Sequence, residues 1–202
     1  MRSSQEAFDL IVEQEVTSKA VYEKKYQRPE WPGASSGVTV GIGYDLGQTS
    51  AATIRKDWQG VVDPAMLEVM VGCSGITGDA AKAYLPKVHD KIFITWDQAI
   101  KVHQNCVIPK WEKMVSDNLP NTDILSPNQF GALTSLTFNR GASYNKDGDR
   151  YKEMRNIKTH MANKNLAAIP NEIRSMKRLW EGKNLPGLLA RRDAEADLFE
   201  TG

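Results

Sequence analysis

The sequence predicts a mainly helical α+β fold, and three observations carry that reading. Helix-start signatures recur at Ser3, Asp63-Pro64, Thr77, Thr95 and Ser126-Pro127. The apolar residues that follow them repeat at helical spacing. Only one stretch, from Val38 to Gly43, alternates with a period of two, which places a single small hairpin near the N-terminal end.

Taken in order, Ser3 and Glu6 have capping-box spacing and predict a helix from about residue 4 to 19. Phe8, Ile11, Val12 and Val16 fall at i, i+3, i+4 and i+8 and draw one buried stripe. Glu15 holds the i+7 place on that stripe. Glu13 projects roughly 140° away from Phe8, beside Asp9 on the wet side. After Tyr26, the run Pro29, Trp31, Pro32, Gly33, Ser35 and Ser36 predicts a loop. In the strand, Val38, Val40 and Ile42 alternate with Thr39, Gly41 and Gly43, and Gly47 closes the hairpin.

Signals from Ser50 onward are helical. The segment Thr95 to Asp117 contains Pro109, which predicts a kink or two helices meeting there. Ser126 to Arg140 predicts a buried central helix with Phe130, Leu133, Leu136 or Thr137 and Phe138 inward, ending at Gly141. A last amphipathic helix runs from Leu185 to Phe199. The whole is read as one domain over 1–202, with an N-terminal lobe of about 1–60 and a helical lobe of about 61–202.

Hydrophobic residues at 41% and charged residues at 25% exclude disordered, fibrous and membrane classes. No apolar run after Met1 makes a secretory signal and none later spans a membrane, so stable membrane insertion is not expected. A chain acting in the periplasm or cell wall would then be made in the cytoplasm and delivered by another system. Cys73 and Cys106 read as two partly buried thiols, with a single bridge left open. His89, His103 and His160 lack ligand spacing, so neither metal nor other cofactor is expected. Arg150 to Arg192 holds eleven Lys or Arg against three Asp or Glu, a local +8 in a chain of net +1. That stretch suits an anionic polymer or, equally, solvated helix faces.

The chemistry-bearing candidates are few. A carboxylate on an apolar stripe needs a partner or a function, because burial disfavours its charge and raises its pKa toward what a general acid requires. Glu15 fits, although such residues often sit at the stripe's edge and reach water. In the hairpin, small residues beside a turn bearing Asp45 allow a ligand or another backbone to approach closely. The glycines are not a dinucleotide loop, since no βαβ unit or acidic ribose partner follows. Glycoside hydrolysis commonly uses two carboxyl groups, which Glu15 and Asp45 could supply with Thr39 between them.

Glu15 followed by Gly37-Val-Thr-Val-Gly-Ile-Gly-Tyr-Asp45 resembles the entry of phage-type lysozymes, glycoside hydrolase family 24 and its relatives. Three further blocks resemble that family in order: Ile94 to Ala99, Ser126 to Gly141, and Leu185 to Phe199 with its paired arginines and downstream Glu195. Together they span most of the chain. The resemblance implies a lysozyme-like fold and hydrolysis of the β-1,4 bond between N-acetylmuramic acid and N-acetylglucosamine in peptidoglycan glycan strands.

By position, it implies Glu15, seven residues before Tyr22, as proton donor and Thr39 as the residue that positions water. Lys24 stands where the common family pattern has its aspartate. Pesticin-like muramidases are more similar there, with an Asp six residues after the threonine, which implies Asp45 as the second carboxylate, with Glu30 as the alternative. Gly43, Tyr44, Asn139 and Arg140 are expected to contact substrate, or, for Asn139 and Arg140, to cap a helix. Arg191, Arg192 and Glu195 are expected to form a structural ion-pair cluster. A monomer acting on peptidoglycan without nucleic acid follows, either a phage endolysin or an antibacterial toxin, the latter with an immunity protein as partner. A lytic transglycosylase and a non-catalytic wall-binding module remain the alternatives.

Overall fold

The first helix ends with its apolar stripe, short of the expected residue 19. In a computed structural model describing residues 1–202, α1 covers Gln5–Val16 and stops because Thr17 turns left-handed, with φ at 66°. Ser18 then caps a separate helix, α2 (Lys19–Lys25), its hydroxyl accepting from the Val21 amide. The start also shifts by one residue. Ser4 rather than Ser3 caps α1, accepting from the Ala7 amide at 3.0 Å, while Glu6 accepts from Asn128.

Two compact units make up the chain: Glu15–Val107, and Met1–Gln14 with Ile108–Gly202. The division expected near residue 60 therefore differs from the observed one, because the helices that follow the hairpin stay with it through Val107.

The Glu15–Val107 unit holds the end of α1, then α2, the hairpin strands β1 (Thr39–Val40) and β2 (Tyr44–Asp45), and four helices. These are α3 (Ala51–Trp58), α4 (Pro64–Val71), α5 (Gly78–Val88) and α6 (Trp96–Val102). The starts of α3, α4 and α6 follow local side-chain chemistry, whereas Thr77 precedes α5 without a side-chain cap. Ser50 and Asp63 accept first-turn amides, and Thr95 with Gln98 forms a complete capping box. The strands are shorter than the alternation predicts. Gly41 and Gly43 adopt φ of 60° and 68° and turn the chain with Ile42, so Ile42 is a buried turn residue instead of a strand residue. Trp58, Ile54, Val40, Leu46, Met70 and Ile94 are among the side chains that close the core.

The second unit is helical. It holds α7 (Ile108–Asn118), α8 (Pro127–Arg140), α9 (Lys152–Ala162), α10 (Ile169–Ser175) and α11 (Pro186–Glu200). The irregularity expected at Pro109 takes the form of a π-helical turn over 103–107 that ends where α7 begins. Helix α8 is central, packed by α7 and α11, with Phe130, Leu133 and Leu136 fully buried and Gly141 ending it at φ 71°. Gly131 lets α1 lie close, since a Cβ there would fall 2.2 Å from that of Ala7. Arg191, Arg192 and Glu195 form the expected cluster, with Glu195 also accepting from Ser135 at 2.7 Å.

Part of the basic stretch is ion-paired within this unit. Arg174 pairs with Asp197 and Glu200, Lys177 with Asp193, and Arg178 with Asp149 and Glu153. Some of the excess charge seen in the sequence thus joins neighbouring helices, while Arg150, Lys152, Lys164 and Lys183 are exposed.

Candidate active site

Glu15 lies on the last turn of α1, half-buried, with Val16 beside it in the core and Glu13 exposed. The left-handed Thr17 and the Ser18 cap fix where the chain leaves this turn. Helix α2 then buries Tyr22 completely, its hydroxyl donating to the Ile94 carbonyl at 3.0 Å. Burial pushes that phenol upward. Tyr22, the aromatic expected near the acid by its spacing, is thus a core residue. Tyr26, one turn later, is the tyrosine that reaches the cleft.

The loop after α2 does more than the composition indicates. Glu30 and Thr39 exchange both backbone hydrogen bonds, Glu30 N to Thr39 O at 2.9 Å and Thr39 N to Glu30 O at 2.8 Å. On the other side Thr39 is paired with Asp45 across the hairpin, and the Leu46 amide donates to the Val38 carbonyl at 2.9 Å. Residues directly opposite one another in antiparallel strands project to the same face, with Cβ atoms about 5 Å apart. Glu30, Thr39 and Asp45 therefore form one cross-strand row. All three line a cleft of about 310 Å³ with Glu15, Tyr26, Ser36, Gly41 and Gly43.

The opposite face belongs to the core. Val40 pairs with Tyr44, which is 6% exposed and donates its hydroxyl to Asp57 at 2.9 Å, with its ring edge against Trp58. Tyr44 was expected to touch substrate; strand alternation turns it away. Burial first, then the bond to the Asp57 carboxylate, raises its phenol far above the usual range.

Asp45 is tied down by the backbone. One carboxylate oxygen accepts from Gly37 N at 2.9 Å and the other from Gln48 N at 3.0 Å. Gly37 is required there, because a Cβ would lie 2.4 Å from both Asp45 Oδ1 and Gly47 Cα. The close approach inferred for the glycine-rich segment is thus one backbone against another. Thr39 is 7% exposed, with its hydroxyl donating to the Gly37 carbonyl at 3.3 Å.

The other expected site residues are placed by their surroundings within their own units. Asn139 is exposed at the end of α8 in the second unit. Arg140 lies over Tyr151 and Trp180 and donates to the Arg150 carbonyl at 2.8 Å, all within that unit, and burial lowers its pKa. Lys24 lines a different cavity, with Lys25, Arg28, His89 and Phe93. No three His, Cys, Asp or Glu side chains gather as metal ligands would.

A half-buried carboxyl group at a helix end, a hydroxyl and two acidic side chains on one sheet face thus share a single cleft. The architecture around them is a lysozyme-like fold. The crystal structure of a P22 lysozyme mutant aligns with TM-score 0.56 and 20% identity, covering 99% of each chain. Over residues 13–126 the chain matches the family described as "Domain of unknown function (DUF8812)", and it belongs to that family. The matched span includes every residue lining the cleft. No curated protein matches the sequence.

Proposed function

We propose that the protein is a peptidoglycan-degrading muramidase that hydrolyses the β-1,4 bond between N-acetylmuramic acid and N-acetylglucosamine. The observation that carries this reading is the composition of one cleft on a lysozyme-like fold: Glu15 at a helix end, with Thr39 between Asp45 and Glu30. Such a cleft suits a reaction in which one group must give a proton while another steers water.

Glu15, half-buried on the apolar stripe, protonates the glycosidic oxygen as the bond to the anomeric carbon breaks. Thr39 orients the attacking water through its hydroxyl, and a carboxylate of the same row takes the water's proton. Gly41 and Gly43 present backbone without side chains to the cleft, so a sugar ring can approach closely. Glycan strands are the substrate class. The setting is the periplasm or wall of a bacterium, reached as a phage endolysin or as an antibacterial toxin with its own immunity protein.

The test is the muropeptide profile of purified sacculi digested by wild type and by Glu15→Gln. Wild type should release fragments with reducing muramic acid ends, and the variant, with an unchanged thermal melt, should release almost none. Full activity in Glu15→Gln overturns the assignment of the acid. Anhydro-muramyl ends from wild type would make the protein a lytic transglycosylase, and sacculus binding without any release would make it a wall-binding module.

A further inference from the structure

Resting on that reading, we infer that Glu30, and not Asp45, is the carboxylate that activates the hydrolytic water, while Asp45 is a positioning residue that holds Thr39 in place. The two acidic side chains flank Thr39 on the same face, one on each side, so register alone gives each an equal claim. Their bonding separates them. Both oxygens of Asp45 accept backbone amides, from Gly37 two residues before Thr39 and from Gln48 three residues beyond Asp45 itself. Its carboxylate is thereby oriented along the chain and closes the base of the hairpin. Glu30 is exposed, and its carboxylate is held by no hydrogen bond or ion pair.

The reciprocal backbone bonds between Glu30 and Thr39 make them a hydrogen-bonded antiparallel pair, which places the Glu30 side chain beside the Thr39 hydroxyl. A general base must keep a lone pair available and lie within one hydrogen bond of the water it deprotonates. Glu30 meets the first condition without breaking any contact, and its extra methylene gives it reach from the sheet into the cleft. Asp45 would have to weaken one of two backbone bonds that shape the strand end. The remaining titratable groups lining this cleft are Glu15 and Tyr26, and Glu15 is assigned to the leaving oxygen.

The step balances without any cofactor. Water oxygen bonds to the anomeric carbon as its proton passes to the Glu30 carboxylate. The carbon–oxygen bond to the leaving sugar breaks, and that oxygen takes the proton of Glu15. Replacing Glu30 by alanine removes the base and opens room for a small anion.

The experiment compares wild type, Glu30→Ala, Glu30→Gln and Asp45→Asn on sacculi, with and without sodium azide, alongside thermal melts. Glu30→Ala and Glu30→Gln should melt like wild type yet cleave about 10²- to 10⁴-fold more slowly, the usual worth of a general base. Azide should restore bond cleavage to Glu30→Ala and yield a glycosyl azide, because the anion needs no deprotonation. Asp45→Asn should melt at lower temperature, with a loss of rate that azide does not restore. Near-wild-type cleavage by Glu30→Gln, a slow Glu30→Ala that azide fails to rescue, or azide rescue at position 45 instead would each overturn the assignment. A wild-type protein that releases no fragments would remove the muramidase reading itself, a separate result from any of these.

Discussion

Asp45 reaches back eight residues to the Gly37 amide, and the contact is so close that Gly37 has no room for a β-carbon. This bond joins the two ends of the hairpin and sets the strand on which Thr39 sits. It also makes Gly37 sensitive to any added side chain. Gly37→Ala should lower stability by about 1 to 3 kcal/mol through overpacking. Urea denaturation would report the loss, and cleavage should fall with it, because Asp45 must move away from its amide partner.

Thr17 carries the opposite expectation. It is exposed and β-branched, yet its φ of 66° is one that glycine adopts far more readily. Thr17→Gly should therefore stabilise the protein by about 1 kcal/mol, a rise of roughly 2 to 4 °C in melting temperature for a chain this size. Calorimetry checks it, and an unchanged or lowered transition would show that the left-handed turn carries no strain.

His103 links stability to acidity. Burial holds its imidazole down to about 4, against an ordinary 6.5, and a hydrogen bond with the Ile42 backbone only partly opposes this. Between those values the unfolded chain binds a proton that the folded protein refuses, so stability falls as pH drops from 6.5 toward 4. The full contribution is about 3 kcal/mol. Unfolding free energies at pH 7 and pH 4.5 for wild type and His103→Gln should show a smaller pH-dependent loss in the variant. Equal losses would remove His103 as the source.

Glu195 is fully buried, facing Arg191 and Arg192, which are 3% and 0% exposed. Burial brings the Arg192 guanidinium down to about 10, against the pull of Glu195, so this cation depends on its partner. Glu195→Gln should destabilise the second unit by about 3 to 5 kcal/mol, since it leaves buried charge uncompensated. Replacing all three with hydrophobic residues of similar volume, Arg191→Met and Arg192→Met with Glu195→Leu, should recover much of that loss. Denaturant midpoints of the single and triple variants make the comparison.

What the sequence discloses follows the range of the interactions concerned. Thr95 with Gln98 and Ser126 with Gln129 announce their helices because a capping box closes within four residues. Helical phase likewise separates Glu15 from Glu13 correctly. The pairing of Glu30 with Thr39 spans nine residues and a loop rich in proline and glycine, so composition gives no sign of it. The burial of Tyr44 had a usable signal. It shares parity with Val38 and Val40 through a three-residue turn, which assigns it to the core, even though its neighbour Asp45 lies on the cleft face. The end of α1 at Thr17 was hidden because the apolar repeat continues to Val16, and only the Thr17-Ser18 pair hints at a break.

The two cysteines acquire a meaning from their surroundings. Neither is in a disulfide, and Cys73 is fully enclosed, its thiol pushed up to about 11 by burial and its hydrogen directed at the Val69 carbonyl. A thiol so rarely ionised reacts slowly with oxidants or disulfides. Cys73 should therefore stay reduced and keep its place in the core under mild oxidising as well as reducing conditions. The half-buried Cys106, whose thiol hydrogen is directed at the Asp57 carbonyl, is the cysteine a thiol reagent would reach first.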